Sequence, residues 1–144
     1  MKSYGLNILG MSEVRWSEFG EMTTKDWATF LYSGRPEGDN VSCEGMGILL
    51  DKEAKTSFIE WQPVSSRIIV AHFKTTNIRN TVMIQCYAPT EVAEDVKRQE
   101  FYVQLSNTLK KQKEEDIIIV GGDLNAKVGQ DNKDLEHVMG SHGL

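Results

Sequence analysis

Three short apolar runs of the sequence each end in a polar side chain that can take part in hydrolysis. The run LNILGM leads to Glu13, TVMIQC leads to Tyr87, and DIIIVGG leads to Asp123 and Asn125. Strand ends are rigid supports, and the loops beyond them leave room for a substrate. We therefore expect these four side chains to surround one point and to form a site.

The Gly121-Gly122-Asp123 segment is the most specific of the three strand ends. Two glycines allow close backbone approach and let the carboxylate project from a tight turn. Such a turn is also a common structural feature, and a single glutamate after a strand is most often a solvated carboxylate. The repetition of the pattern at three strand ends, rather than any one residue, favours a functional site.

Six short segments have the composition of β-strands, because they are rich in β-branched, aromatic or other apolar residues. They are residues 6–11, 27–33, 46–50, 67–73, 81–87 and 116–120. The middle four are expected to pair as a meander, with a turn over residues 76–80. The last is almost wholly apolar, and we expect it to be buried on both faces.

One long amphipathic helix is predicted over residues 91–113. Its apolar residues recur at roughly helical spacing, and Thr90 is the expected N-cap. Acidic residues stand in the first turn and lysines in the last, which suits the helix dipole. Strands combined with this helix predict an α/β fold, and the polar tail from Lys127 onward is expected to be loop.

Composition restricts the classes of function. The 144 residues are 40% hydrophobic and 26% charged, which fits one globular domain with its own core. No long apolar run is present, so no membrane partner and an intracellular location are expected. Cys43 and Cys86 are expected to be reduced, buried thiols. The net charge of -5 argues against broad attraction to nucleic acid, although a cation site also requires carboxylates.

Three segments together resemble the endonuclease/exonuclease/phosphatase superfamily in order and spacing. They are ILGMSEVRW (residues 8–16), QCYAPT (85–90) and IIIVGGDLNAKVG (117–129). SEVRW, YAPT, GDLNAKVG and the terminal VMGSHGL are similar to the endonucleases of non-LTR retrotransposons, a branch that includes craniofacial development protein 2-like sequences. The resemblance implies that residues 1–144 are a single, partial domain of the four-layer α/β/β/α sandwich (DNase I-like) type. They would supply the first sheet, the long helix and the beginning of the second sheet.

The resemblance also implies a role for each strand-end residue. Glu13 would hold Mg²⁺, or Mn²⁺ in its place, and Asp123 would orient or deprotonate the attacking water. Asn125 would hold that region and the phosphate, and the Tyr87 hydroxyl would contact the phosphate. Arg15 is the best candidate for substrate binding, with a surface salt bridge as the alternative. Phosphodiester hydrolysis requires this combination of charge stabilisation and an aligned nucleophile.

Two motifs of the superfamily have no counterpart in the chain, namely an N-terminal Asn motif and a C-terminal Ser-Asp-His motif. We therefore expect the chain to be truncated, to be weakly active or inactive by itself, and to self-associate through an exposed sheet face. His72 and His137 are expected to have no catalytic role, and His142 to belong to a loop.

DNA is the expected substrate, as in intact relatives, and a nuclear location would follow. Two alternatives stay open. The chain is a non-catalytic, domesticated domain that binds a protein or nucleic-acid partner, or it acts on RNA tails or phosphoinositides, as other members of the superfamily do.

Overall fold

Two four-stranded sheets form the framework of the computed structural model, which describes residues 1–38, 44–75, 79–126, 131–138 and 140. The first sheet is antiparallel, with strand order β1-β4-β3-β2. Its strands are β1 (Ile8–Ser12), β2 (Phe19–Thr23), β3 (Thr29–Ser33) and β4 (Met46–Leu50). The second sheet has the order β5-β6-β7-β8, and only β7 and β8 pair in parallel. Its strands are β5 (Phe58–Ser65), β6 (Ile68–Lys74), β7 (Asn80–Tyr87) and β8 (Ile117–Asp123).

The helices connect these strands. A short 3-10 helix covers Lys2–Tyr4, and α1 (Lys52–Ser57) leads from β4 in the first sheet to β5 in the second. The long helix α2 (Asp95–Lys110) makes the crossover between the parallel strands β7 and β8. A parallel connection needs such a crossover. An antiparallel sheet and a mixed sheet, with helical connections, confirm the predicted α/β class.

The hydrophobic core occupies both faces of the second sheet. Successive side chains of a strand point to opposite faces, so β6 supplies Ile69 and Ala71 to the layer between the sheets and Val70 to the layer under α2. Phe101 and Leu105 of α2 are buried against that outer face. The sheets therefore pack face to face, and α2 holds β7 in place from outside.

The predicted strands are confirmed with small shifts of their ends, but their pairing is not a meander. The β3–β4 and β6–β7 pairs lie in different sheets, because α1 and β5 intervene and carry the chain across. Neither element was predicted, nor was β2. Four of the five residues of β2 are exposed, and β5 is an edge strand with Pro63, so neither gives a clear apolar pattern. The resemblance implied that the chain supplies the beginning of the second sheet, and four strands of that sheet are present. Most of the predicted turn at residues 76–80 lies outside the described residues.

Helix α2 begins at Asp95 rather than at residue 91, so the prediction of Thr90 as N-cap is wrong. Glu94 takes the N-cap position without a side-chain cap, and the Thr90 carbonyl instead accepts a turn hydrogen bond from the Ala93 amide at 3.0 Å. The error arose because Val92 fits the helical spacing of apolar residues in the sequence. In the structure Val92 is 95% exposed and does not belong to the buried face of the helix. None of the described helices is both long and apolar enough to cross a membrane.

Strand β8 is an exposed edge strand, which contradicts the prediction of burial on both faces. Among the described residues it pairs only with β7, and its four apolar residues, Ile117 to Val120, are 38–50% exposed. Helix α2 packs over β6 and β7 and does not extend its buried contacts to β8. An apolar edge of this kind offers unpaired backbone groups to another strand.

We expect the chain to self-associate through β8. Lysine at the edge of a sheet opposes such pairing, so Ile119→Lys should shift the protein towards monomer in sedimentation velocity over a range of concentrations. Val92→Lys, at an equally apolar and more exposed position before α2, should leave the association unchanged. A monomer at all concentrations, with or without the substitution, would contradict the expectation.

Candidate active site

Glu13 stands on a strained loop directly after β1. The φ angles of Glu13, Arg15 and Glu18 are 55°, 60° and 59°, in the left-handed region that residues other than glycine seldom adopt. Such conformations cost on the order of 1–3 kcal/mol each and persist only where the surroundings fix them. Here the Val14 amide donates to the Gly45 carbonyl at 3.1 Å. The loop is thus held against the start of β4, and the direction of the Glu13 side chain is set by the backbone.

Tyr87 closes the site from the second sheet. It is the last residue of β7 and is 7% exposed, and its hydroxyl donates to Oε1 of Glu13 at 3.0 Å. This bond joins the end of β1 to the end of β7. The hydrogen bond from Tyr87, followed by that from Arg15, lowers the pKa of Glu13. Burial and then the contact with Glu13 raise the pKa of Tyr87. At neutral pH the pair is therefore a carboxylate facing a neutral phenol.

Asp123 lies beside Tyr87 because β7 and β8 pair in register at that point. The preceding residue, Gly122, makes the turn possible. Its φ is 136°, and a Cβ atom there would lie 1.8 Å from the Cys86 carbonyl oxygen. Oδ1 of Asp123 accepts a hydrogen bond from the backbone amide of Asn125 at 2.8 Å. Of the two glycines before Asp123, Gly122 is therefore the one that the backbone requires.

Asn125 fixes the far side of the cluster. Its φ of 45° turns the chain back towards β7, and its Nδ2 donates to the Ala88 carbonyl at 2.7 Å. The Ala88 amide in turn donates to the Asp123 carbonyl at 2.8 Å. The Asn125 side chain also acts on the Tyr87 hydroxyl, whose pKa it lowers in opposition to burial. The segments after β7 and β8 are therefore tied together around Tyr87.

Arg15 forms an ion pair with Glu13, with Nη2 3.1 Å from Oε2. The two side chains are 61% and 46% exposed, so the pair is weak and open to solvent. The guanidinium can leave the carboxylate without loss of burial. Its place beside Glu13 is compatible with a phosphate contact as well as with the surface salt bridge that the structure shows.

The donor set at this point suits a hard cation with few protein ligands. Glu13 offers an ionised, half-exposed carboxylate, and Mg²⁺ is commonly held by one or two carboxylates together with water and substrate phosphate. Among the described residues no group of three or more His, Cys, Asp or Glu side chains is placed to hold a metal ion. The chemistry of Glu13 therefore fits Mg²⁺ or Mn²⁺.

Glu44 is a residue beside the site that the sequence did not reveal, nor did it reveal the contact of Glu44 with Arg67. The Arg67 guanidinium carbon lies 5.2 Å from the centre of the Tyr87 ring, and Arg67 also binds Glu44, which precedes β4. Glu44 is buried although it is charged. The partners are 23 residues apart in the chain, and no local pattern connects them. A carboxylate beside an apolar strand was the only available signal.

Of the three histidines and two cysteines, the described residues include His72, His137 and Cys86. His72 is half-buried on β6, and His137 is exposed. Within the described residues, the hydrogen bonds of the four strand-end residues involve no histidine. Cys86 is a buried free thiol, as predicted. His142 and Cys43 lie outside the described residues.

Comparison with known proteins gives relatives for the whole chain. No protein-family model matches it. It is 30% identical to craniofacial development protein 2 of Bos taurus over 144 residues, which is 100% of this chain and 23% of that protein. It is 29% identical to craniofacial development protein 2 of Tragulus javanicus, again over the full chain and over 24% of that protein. The chain thus spans about a quarter of the length of these relatives. Because the similarity extends over all 144 residues of the chain, it supports the predicted relationship to craniofacial development protein 2.

Proposed function

We propose that the residues around Glu13 and Tyr87 are the active site of a magnesium-dependent phosphodiesterase that nicks DNA. The observation that supports this best is the 3.0 Å hydrogen bond between Tyr87 and Glu13, which joins the ends of two strands from different sheets. Asp123 and Asn125 are fixed beside it. The motifs that resemble retrotransposon endonucleases supply these same four residues.

The proposed chemistry gives each of the four groups one role. The phenol of Tyr87, neutral because its pKa is raised, donates its one hydrogen bond to Glu13 in the free site and would redirect it to a non-bridging phosphate oxygen when substrate binds. Asp123 accepts a proton from the attacking water, and the Asn125 amide holds the phosphate and this turn in place. Bound Mg²⁺ would supply charge stabilisation for the leaving oxygen. Preorganised donors and an aligned base are the two contributions that the protein makes.

DNA is proposed as the substrate because SEVRW, YAPT and GDLNAKVG are similar to the DNA-nicking branch. Arg15, exposed beside Glu13, is the proposed contact to the DNA backbone. A nuclear location is proposed with this substrate. The net charge of -5 implies that binding depends on the site and its cation rather than on general attraction to phosphates.

Metal binding gives the first test, since it requires only that the chain is folded. We expect weak Mg²⁺ binding by the wild type and roughly tenfold or greater loss of affinity in Glu13→Gln, because replacement even of residues that support a metal ligand costs about 10–100-fold. Titration with Mg²⁺ measures the affinity. Titration with Mn²⁺, which broadens the NMR signals of nearby residues, shows where the ion binds.

Glu60→Gln is the matched control for charge, since Glu60 is an exposed glutamate of edge strand β5, at the opposite end of the sheet from β8. It should keep the wild-type affinity. Equal affinity in the wild type and Glu13→Gln would remove Glu13 from the proposed role and leave the non-catalytic binding domain as the better account.

A further inference from the structure

We propose that Glu44 is a positioning residue of this site. It holds Arg67 against Tyr87, and it holds the backbone at Gly45 against the loop after β1 that carries Glu13. In this way it fixes the Tyr87–Glu13 hydrogen bond. The inference rests on the proposed function for the meaning of that bond. It is argued from contacts that do not depend on a metal or a substrate.

Glu44 is the centre of a buried polar cluster. It is 6% exposed, and its two carboxylate oxygens accept four hydrogen bonds. Arg35 donates two of them, to Oε2 at 2.7 Å and to Oε1 at 2.6 Å. Ser66 donates to Oε2 at 2.6 Å, and Arg67 donates to Oε1 at 2.7 Å. A carboxylate satisfied in this way has one orientation, and it imposes that orientation on its partners.

Arg67 transmits this orientation to Tyr87. Its Nη1 donates to the Tyr87 carbonyl at 3.0 Å, while its own carbonyl accepts from the Tyr87 amide at 2.9 Å. The guanidinium also lies 5.2 Å from the Tyr87 ring centre. The arginine therefore contacts the backbone and the ring of the tyrosine together. Glu44 holds the other end of the guanidinium, which leaves the Tyr87 ring little freedom to turn from Glu13.

The residue after Glu44 reaches the other partner of the bond. The Gly45 carbonyl accepts from the Val14 amide at 3.1 Å. A Cβ atom at Gly45, whose φ is 131°, would lie 2.9 Å from the Arg15 amide nitrogen. The strained loop that carries Glu13 is thus packed on the backbone beside Glu44. One buried carboxylate thereby fixes both sides of a contact between the two sheets.

A purely structural role is the alternative. Buried ion pairs are weak evidence of stabilisation, because desolvation opposes their attraction. They do set orientation where several donors converge, and a misplacement of about 1 Å at a reacting group can cost about a hundredfold in rate. The two accounts differ in what happens to Tyr87 in a protein that is still folded.

The test is the NMR signal of Tyr87 in protein labelled with ¹³C at the tyrosine Cζ atoms, without metal or DNA. The four tyrosines give four signals, and Tyr87→Phe assigns the one of interest. Glu13→Gln sets the scale, because it replaces the carboxylate that accepts from the hydroxyl. We expect Glu44→Gln, and Arg67→Lys with its charge retained, to move the Tyr87 signal in the same direction by at least half that displacement. Neither should move it further when combined with Glu13→Gln.

Glu100→Gln is the control for loss of a nearby charge, since Glu100 lines the same cleft as Glu44 and Arg67 but is exposed. It should leave the signal in place. A folded Glu44→Gln protein with an unmoved Tyr87 signal would overturn the proposal. If that variant does not fold, Arg67→Lys decides in the same way. Failure of Mg²⁺ to bind at Glu13 would count against the proposed function and would not alter this result.

Discussion

Acidification from about pH 4.5 to about pH 2 should remove about 3 kcal/mol of folding stability through Glu44 alone. Burial raises the pKa of this carboxyl, but the hydrogen bonds from Arg35 and Ser66 and the charges of Arg67 and Arg35 outweigh it and lower the pKa from 4.5 to about 2. A group whose pKa is lower in the folded state binds its proton less readily there than when unfolded. Its contribution is therefore complete above pH 4.5 and is lost as the pH falls through the folded pKa.

The comparison that isolates Glu44 is the wild type against Glu44→Gln in urea unfolding at a series of pH values. At neutral pH we expect the variant to be less stable by about 3–5 kcal/mol, because Arg35 and Arg67 lose their buried partner. The difference should shrink by about 3 kcal/mol between pH 4.5 and pH 2. Glu100→Gln, which removes an exposed carboxylate, should follow the wild type throughout. If the stability difference between wild type and Glu44→Gln stays constant over this range, the partners of Glu44 do not lower its pKa in the folded protein.

The positions of the candidate site residues at strand ends were more predictable from the sequence than the sheets that carry them. Glu13, Tyr87 and Asp123 follow apolar runs that end where the strands β1, β7 and β8 end. Such runs depend on local composition, which a single sequence contains. The direct contact of Tyr87 with Glu13 joins residues 74 positions apart, and motif order, rather than composition, indicated it.

The parts that sequence reasoning missed depend on distant partners. Burial of Glu44 requires arginines 9 and 23 residues away, and a charged residue is expected at the surface until such partners are known. The prediction that β8 is buried is an error of the opposite kind. An apolar run predicts burial, but whether a strand is buried depends on the elements that pack against it, and these are distant in the sequence. The left-handed backbone at Glu13 and Arg15 also had no signal, since neither residue favours that region.

Asp123→Asn should lower DNA nicking about a hundredfold or more, the usual contribution of a general base. The substitution suits the structure, because an amide oxygen can still accept the hydrogen bond that Oδ1 of Asp123 receives from the Asn125 amide at 2.8 Å. The turn is retained and only the basic carboxylate is lost. The wild-type chain is itself expected to be slow, since its 144 residues contain no Ser-Asp-His motif. A missing preorganised donor typically costs about a hundredfold to a thousandfold in rate.

Relaxation of supercoiled plasmid with Mg²⁺, followed over hours at high protein concentration, measures the slow wild-type rate. Asp131→Asn is the matched control: Oδ1 of Asp131 accepts from the Lys133 amide at 3.1 Å in the same kind of turn, so only position differs between the two substitutions. It should nick like the wild type. Equal nicking by a folded Asp123→Asn variant would exclude Asp123 as the base. Mg²⁺ binding at Glu13 without any nicking by the wild type would instead favour a domain that keeps the cation site and binds its partner without cleaving it.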